Sequence, residues 1–377
     1  MPWKLWHPDL DKNPKLEAKN GNLHPKVEAS LEMARRLDKR GIPVILAAWF
    51  APNWAIIGER AEGVNLDGSR GNQLDQSKKE EIYRSITSYI EFLKEEYGVE
   101  TVLFSFNESD LGIDVRQTPE EHDQLIRELG SLFKNAGLNT KLLLGDTADA
   151  NGWDFTTTAS LNPESVPYIG GVSFHSWRGW SQKNLLEWYD IANRVGQPLF
   201  VGEGSIDAGA WRYPQIFEEP SYALEEIRIY LKILKFAQPL SILQWQLTSD
   251  YSVLSGGGIY GNDDKLKPTQ RFFNLKQLGK TPSGLRNIPV TSNQESVTAA
   301  AFGSKERGQY ALHLVNKGGK RPIEVNGIPS SIPAFNVYVT DQNNSFKRIK
   351  KVQVSNGKLN LFAEGGSFIS LFSVDLK

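Results

Sequence analysis

The sequence predicts a (β/α)8 TIM barrel followed by a C-terminal antiparallel β-sandwich. Three observations predict it. Short apolar runs of the kind buried in parallel sheets alternate with helical patterns from the start of the chain to about residue 280. No G-x-G-x-x-G follows the first strand and no Walker motif occurs, so the nucleotide-binding open sheets lose weight against the barrel. Beyond Gly284 the helical patterns stop, and strand-like segments separated by turn residues take over.

The parallel strands are residues 43–49, 101–106, 141–145, 171–175, 198–202 and 241–245. Between them lie helices with apolar residues at a spacing of three to four. Val27, Leu31, Ala34 and Leu37 form one stripe, closed by Gly41. Ile82, Ile86, Ile90 and Leu93 form the next, closed by Gly98. Thr118-Pro119-Glu120-Glu121 is a capping box with Pro at the first helical position. Its helix carries Leu125, Leu129 and Leu132 and stops at Gly137. Leu185, Trp188 and Ile191 continue the series before Gly196, and Leu224, Ile227, Leu231 and Leu234 follow. Repeated strand–helix units force parallel strands through right-handed crossovers.

The run Pro-Trp-Lys-Leu-Trp at residues 2–6 reads as the end of a seventh strand. No residues remain for an eighth, so the first strand of the barrel is expected to be missing from a chain that begins inside a longer natural protein. After the barrel, residues 297–302, 310–315, 336–340 and 367–372 read as strands of a sandwich. Gly318-Gly319, Asn326-Gly327, Asn356-Gly357 and Gly365-Gly366 supply its turns. The junction falls at Thr281-Pro282-Ser283-Gly284, which divides the chain into a barrel domain, 1–283, and a sandwich domain, 284–377.

Composition narrows the function classes. The 43 basic and 44 acidic residues give a net charge of -1, so no basic excess argues for nucleic acid. There is no cysteine, which excludes disulfides, thiolate metal sites and cysteine nucleophiles. Five scattered histidines leave little for a His-rich metal centre, and neither a metal nor a cofactor is expected. No apolar run approaches the roughly 20 residues of a membrane span, and the first ten residues hold no apolar signal region. Ten Trp stand out, since flat rings both fill cores and stack on sugar faces.

Catalytic groups of a barrel sit at the C-terminal ends of its strands. The second clear strand ends in Asn107-Glu108-Ser109-Asp110, and the fifth in Gly202-Glu203-Gly204. Two strand-end carboxylates in one barrel are the parts that glycoside hydrolysis needs: one protonates the leaving oxygen, the other attacks or activates water. A lone strand-end Glu is more often structural, but a Glu between two glycines after a buried strand is hard to explain as solvated surface.

Phe-Asn-Glu after one strand and Val-Gly-Glu-Gly three strands later resemble clan A of the retaining glycoside hydrolases. In that clan the acid/base Glu follows Asn at the end of strand four of the barrel, and the nucleophile ends strand seven. The sandwich, entered through Lys267-Pro268-Thr269-Gln270-Arg271-Phe272-Phe273, is similar to that of glycoside hydrolase family 30. The resemblance covers nearly the whole chain. It implies Glu108 as acid/base, Glu203 as nucleophile and Asn107 on the sugar 2-hydroxyl. It places His175 where the clan often orients the nucleophile, and Trp245 where it stacks on sugar. Trp49, Trp54 and Trp177 are further candidate subsite walls. The clan usually has Pro after Asn-Glu, and here Ser109 stands there, a change in backbone stiffness that leaves the charge chemistry in place. The implied partner is an oligo- or polysaccharide with β-linkages, with no nucleic acid and no membrane, and the implied location is extracellular or periplasmic.

Each candidate also has a structural reading. His175 fits a satisfied core histidine, and Trp49 and Trp245 fit packing at the barrel top. Trp153, Trp177, Trp180 and Trp211 lie in loops after strands. Asp110, Asp146, Asp149 and Asp207 lie near strand ends, where most such residues cap loops. Asp110 is the nearest rival of Glu108 for the acid/base role. The alternative function is a non-catalytic carbohydrate-binding protein on an incomplete barrel, which has no need of the Glu pair.

Overall fold

The computed structural model describes residues 1–64, 69–246 and 249–376. It divides into two compact units, Met1–Gly179 with Leu186–Gly202, and Trp180–Leu185 with Glu203–Lys377. Among the described residues no helix is long and apolar enough to cross a membrane.

The first unit opens with a single helical turn, α1 (Trp3–Trp6), and a short helix α2 (Pro14–Lys19). The seventh strand expected at residues 2–6 is therefore corrected to a helix. The reason is visible in its contacts. Trp3 and Trp6, three apart, share one helical face and are buried against the helix α4 (Lys79–Tyr97). Their indole Nε1–H groups donate to Ser85 Oγ at 2.9 Å and Ser88 Oγ at 3.0 Å, themselves three apart. A strand would point the two rings differently and leave one N–H without a partner.

The expected helices form where the stripes place them: α3 (Pro25–Asp38), α4, α5 (Pro119–Asn135) and α6 (Gln182–Val195). Gly98 ends α4 in the left-handed conformation at φ 71°. The capping box at Thr118 is complete: its hydroxyl accepts from Glu121 N, while the Glu121 carboxylate accepts from Thr118 N. Such a cap is worth about 1 kcal/mol.

The parallel strands are β1 (Ile45–Ala48), β2 (Leu103–Phe106), β3 (Lys141–Thr147), β4 (Ile169–Phe174), β5 (Leu199–Gly204) and β6 (Ser241–Gln244). They are hydrogen-bonded in chain order in one six-stranded sheet. Ile45 pairs with Leu103, Leu103 with Lys141, Leu142 with Ile169 and Val172 with Leu199. Every residue of β2 is buried, as a strand covered on both faces requires. The curled parallel sheet with its helices, and the antiparallel sheets after it, bear out the predicted fold class. Six parallel strands are described, where the sequence suggested seven.

From Glu203 the strand β5 runs into the second unit, where Gly204 O accepts from Trp245 N at 2.9 Å. That unit contains α7 (Pro220–Phe236), α8 (Gln270–Leu278) and the sandwich. Its larger sheet orders β7 (Arg286–Ile288), β8 (Val297–Ser304), β9 (Gln309–Asn316), β14 (Ser367–Phe372), β11 (Ala334–Thr340) and β12 (Lys347–Gln353). The smaller pairs β10 (Arg321–Asn326) with β13 (Lys358–Ala363). The four expected sandwich strands are β8, β9, β11 and β14. Leu312, Leu314, Ile369 and Leu371 of one sheet pack on Leu359, Leu361 and Ala363 of the other. The opposite face of the larger sheet buries Ala300, Val315 and Phe368 against Leu224, Ile227 and Leu231 of α7. Gln277 of α8 stitches the same face, donating to Phe368 O at 3.1 Å and accepting from Thr340 Oγ1 at 2.7 Å.

Candidate active site

The end of β2 is fixed by backbone geometry. Asn107 N donates to Ala48 O, and Glu108 N donates to Asp146 O, both at 3.0 Å. Glu108 then turns left-handed at φ 48°, as does Asp146 at φ 56° within β3, near its end. A non-glycine residue in that region costs roughly 1–3 kcal/mol and persists only where its surroundings enforce it. Both strained residues here are buried carboxylates at strand ends. Ser109, where the clan has Pro, is fully buried and donates to Gln117 Oε1 at 3.1 Å, which supplies some of the stiffness a proline would bring.

His175, directly after β4, joins the two carboxylates. Its Nδ1 lies 2.8 Å from Glu108 Oε1, and its Nε2 lies 3.2 Å from Asp146 Oδ1. The ring is 0% exposed. Asp146 also accepts from Ser105 Oγ at 2.7 Å and Ser173 Oγ at 3.1 Å. Burial alone would push the Asp146 carboxyl up. The donors from His175, Ser105 and Ser173 outweigh it and hold the carboxyl below its usual range. Asp146 is the residue that reading the sequence undervalued, since an Asp after a strand is ordinarily a loop cap. The signal available was its place at a strand end one strand before His175.

Asn107 is buried, and among the described residues its Nδ2 has no hydrogen-bond partner. An unfilled donor beside Glu108 is what a hydroxyl-bearing ligand would complete. Asp110, the rival acid, is tied down by Ala148 N at 2.9 Å. Burial pushes it up to about 6, and the Glu108 charge adds to the rise.

Gly202, the residue before Glu203, sits hard against this cluster. A Cβ at Gly202 would lie 2.6 Å from Asp146 Oδ1, 2.7 Å from Ser173 Oγ and 3.3 Å from His175 Cδ2. Glu203 follows on β5 and is itself buried. Behind it in the second unit, Ser205 Oγ donates to Glu226 Oε1 at 3.0 Å, and Glu226 forms a fully buried bidentate pair with Arg271. Gln244 of β6 joins through Tyr230 OH, which donates to its Oε1 at 2.8 Å.

The tryptophans separate. Trp49 and Trp245 follow β1 and β6 and are half-buried. Trp54 donates from Nε1 to His7 O at 2.8 Å and packs edge-on against Trp3 and His7. Trp177 is buried, whereas Trp153 and Trp180 are half-buried. Trp211 is 55% exposed, with the Arg212 guanidinium over its ring. Asp149 caps its own loop through Asn151 N and binds Arg178, and Asp207 caps Gly209 N and accepts from Tyr213 OH.

No known family profile and no curated protein matches the chain. Solved structures do. A GH30 endoxylanase from Clostridium papyrosolvens superposes with a TM-score of 0.74 at 15% identity, over 94% of this chain and 86% of that one. A family 30 subfamily 8 xylanase from Clostridium acetobutylicum gives 0.72 at 12% identity, over 95% and 91%. An endo-β1,6-glucanase gives 0.62 at 17% identity, over 94% and 76%. The chain has the fold of the family 30 glycoside hydrolases.

Proposed function

We propose that this chain is a retaining glycoside hydrolase that cleaves β-linked glycans, with Glu108 as acid/base and Glu203 as nucleophile. The observation that carries the proposal is Glu108 itself: a buried, left-handed carboxylate at a strand end, bonded to a buried histidine and preceded by an asparagine with an unfilled amide donor.

In the first half-reaction a Glu203 oxygen bonds to the anomeric carbon as the bond to the leaving oxygen breaks. The proton of Glu108 goes to that oxygen, and the leaving sugar departs as an alcohol. In the second half-reaction water attacks the same carbon, its proton returns to Glu108, and the bond to Glu203 breaks. Two inversions give net retention. Asn107 Nδ2 donates to the 2-hydroxyl, a bond that strengthens as charge develops at the anomeric carbon. A carboxyl pair of this type is expected about 5–5.5 Å apart. Trp49 and Trp245 are proposed as the sugar-stacking walls that the strand ends favour, and Trp177 and Trp54 as further candidate walls. The enzyme is proposed to act outside the cytoplasm, in keeping with an exported Bacteroides fragilis protein of the same fold.

The test is hydrolysis of aryl β-glycosides, xylan and β1,6-glucan, the last two chosen from the named activities of similar structures. The product anomer is followed by NMR from the first turnover. The β-anomer is expected first. Early α-anomer, or no cleavage across the panel, would contradict the proposal.

A further inference from the structure

Asp146 has no task in the mechanism above, yet it is buried, left-handed and bonded to His175. Its two oxygens collect serine donors, Oδ2 from Ser105 and Oδ1 from Ser173. A carboxylate in that position is an acceptor, so the hydrogen in its bond to His175 belongs to Nε2. In the neutral ring that the proposal requires there is one hydrogen, and Nδ1 is then left with a lone pair. That lone pair faces Glu108 Oε1 at 2.8 Å. Against a carboxylate oxygen it would be repulsive. Against a carboxylic O–H it is a hydrogen bond.

We propose that Asp146 is a positioning residue that fixes His175 in its Nε2–H tautomer, and that the Nδ1 lone pair so created holds the catalytic proton on Glu108. The proposal rests on the reading of Glu108 as acid/base. One lone pair serves both half-reactions: it favours the O–H before the leaving group departs and favours recapture of a proton from water afterwards. An asparagine at 146 could still satisfy the two serines without burying a charge. The charge is what commits the hydrogen to Nε2. An asparagine amide could also donate to Nε2 and force the opposite tautomer.

Other ionisable groups near the ring, among the described residues, also bear on the proposal. Asp110 follows Glu108 on the same loop and interacts with both Glu108 and His175. His122 of α5 accepts from Gly145 N at 3.1 Å, and burial lowers it to about 4, so it is neutral near pH 7. Glu203 follows Gly202, whose backbone abuts Asp146 and His175.

The experiment compares wild type with Asp146→Asn in three readouts. The first is the pH profile of kcat/KM on a substrate with a poor leaving group. Its basic limb should move about one to two pH units lower in Asp146→Asn, the size expected when one close charge is removed. On a substrate with a good leaving group, which needs little protonation, the limb should barely move. Ser105→Ala, which removes a donor and keeps the charge, should leave the limb in place. Asp110→Asn identifies any inflection belonging to Asp110. The second readout is the melting temperature, which guards against simple misfolding. The third is independent of activity: imidazole 15N shifts of wild type, assigned by loss of the signals in His175→Asn. Nε2 should be protonated and Nδ1 bare. A protonated Nδ1 in wild type overturns the proposal even if Asp146→Asn does not fold. An unmoved limb in a folded Asp146→Asn overturns it while leaving the acid/base role of Glu108 intact. Full turnover by Glu108→Ala would remove that role and the proposal with it, whatever the ring shifts show.

Discussion

The Nδ1 atom of His175 lies 2.8 Å from Oε1 of Glu108, in a site where the ring is wholly buried and its other nitrogen meets Asp146. The two residues are 67 apart in sequence and come together because β2, β3 and β4 are neighbours in one parallel sheet. The carboxylate proposed as the acid/base is thus bound to a side chain that can share its proton. The strain of two left-handed carboxylates, roughly 1–3 kcal/mol each, is located at the same place.

Gly202 is expected to tolerate no side chain. Its Cβ would fall 2.6 Å from Asp146 Oδ1 and 2.7 Å from Ser173 Oγ, both fully buried. Gly202→Ala should cost about 1–3 kcal/mol in urea unfolding through overpacking. It should lower kcat at least tenfold, because the displaced atoms hold His175. A variant with wild-type stability and turnover would show that the cluster yields without consequence.

The Arg271–Glu226 pair behind β5 should matter for stability more than its solvent-exposed counterparts. The pair is bidentate and essentially unexposed, at 0% and 2%. Arg271→Met should destabilise by about 3–5 kcal/mol, because it strands a buried carboxylate. Removing both charges, Arg271→Met with Glu226→Leu, should recover part of that loss. Equal losses in the single and double variants would argue against stranding as the cause.

Most of the fold was legible in the sequence because parallel strands are buried on both faces and read as continuous apolar runs. The helices were legible from their stripes and caps. Residues 2–6 were not, because five residues rich in tryptophan carry no period that separates a turn of helix from a strand end. The strands Arg321–Asn326 and Lys358–Ala363 are not among those the sequence predicts, although both alternate between half-buried or buried and exposed positions. Glu108, Asn107 and His175 were legible from their strand ends. The bond between His175 and Glu108, and the part of Asp146, were not, since partners contributed by different strands leave no spacing to read.

Residues 284–377, proposed from the sequence as a sandwich domain, are expected to be inseparable from the helices that precede them. Leu224, Ile227 and Leu231 of α7 pack on Ala300, Val315 and Phe368, and Asn287 Nδ2 donates to Leu234 O at 2.9 Å. A chain ending at 283 should expose that apolar face and be insoluble or melt at markedly lower temperature. Equal solubility and equal melting temperature would show that the boundary separates independent domains.

Acid should destabilise the chain through its buried histidines. Burial lowers His313 from 6.5 to about 3 and His122 to about 4. His313 is satisfied as a neutral ring, with Ser370 Oγ at 2.7 Å from Nδ1 and Thr281 Oγ1 at 2.9 Å from Nε2. Below pH 6.5 the unfolded chain binds protons that the folded one refuses, so this contribution is complete above that pH and is lost as pH falls towards the folded values. Each histidine adds a slope of up to about 1.4 kcal/mol per pH unit there. Urea unfolding of wild type and His313→Gln between pH 7.5 and 5 should show a shallower acid decline in the variant. Parallel curves would contradict the assignment.

The most direct test of the central claim is the stereochemistry of azide rescue in the two alanine variants. Glu203→Ala should lose nearly all turnover, since no covalent intermediate can form. Glu108→Ala should lose about 10²–10⁴-fold on poor leaving groups and far less on good ones. Azide needs no base, so on a β-linked substrate it should restore Glu108→Ala turnover and yield the β-glycosyl azide. With Glu203→Ala the same anion should enter from the face the nucleophile vacated and yield the α-azide. Near-native rates for both variants on every cleaved substrate, or the same azide anomer from each, would contradict the assignment of Glu108 as acid/base and Glu203 as nucleophile.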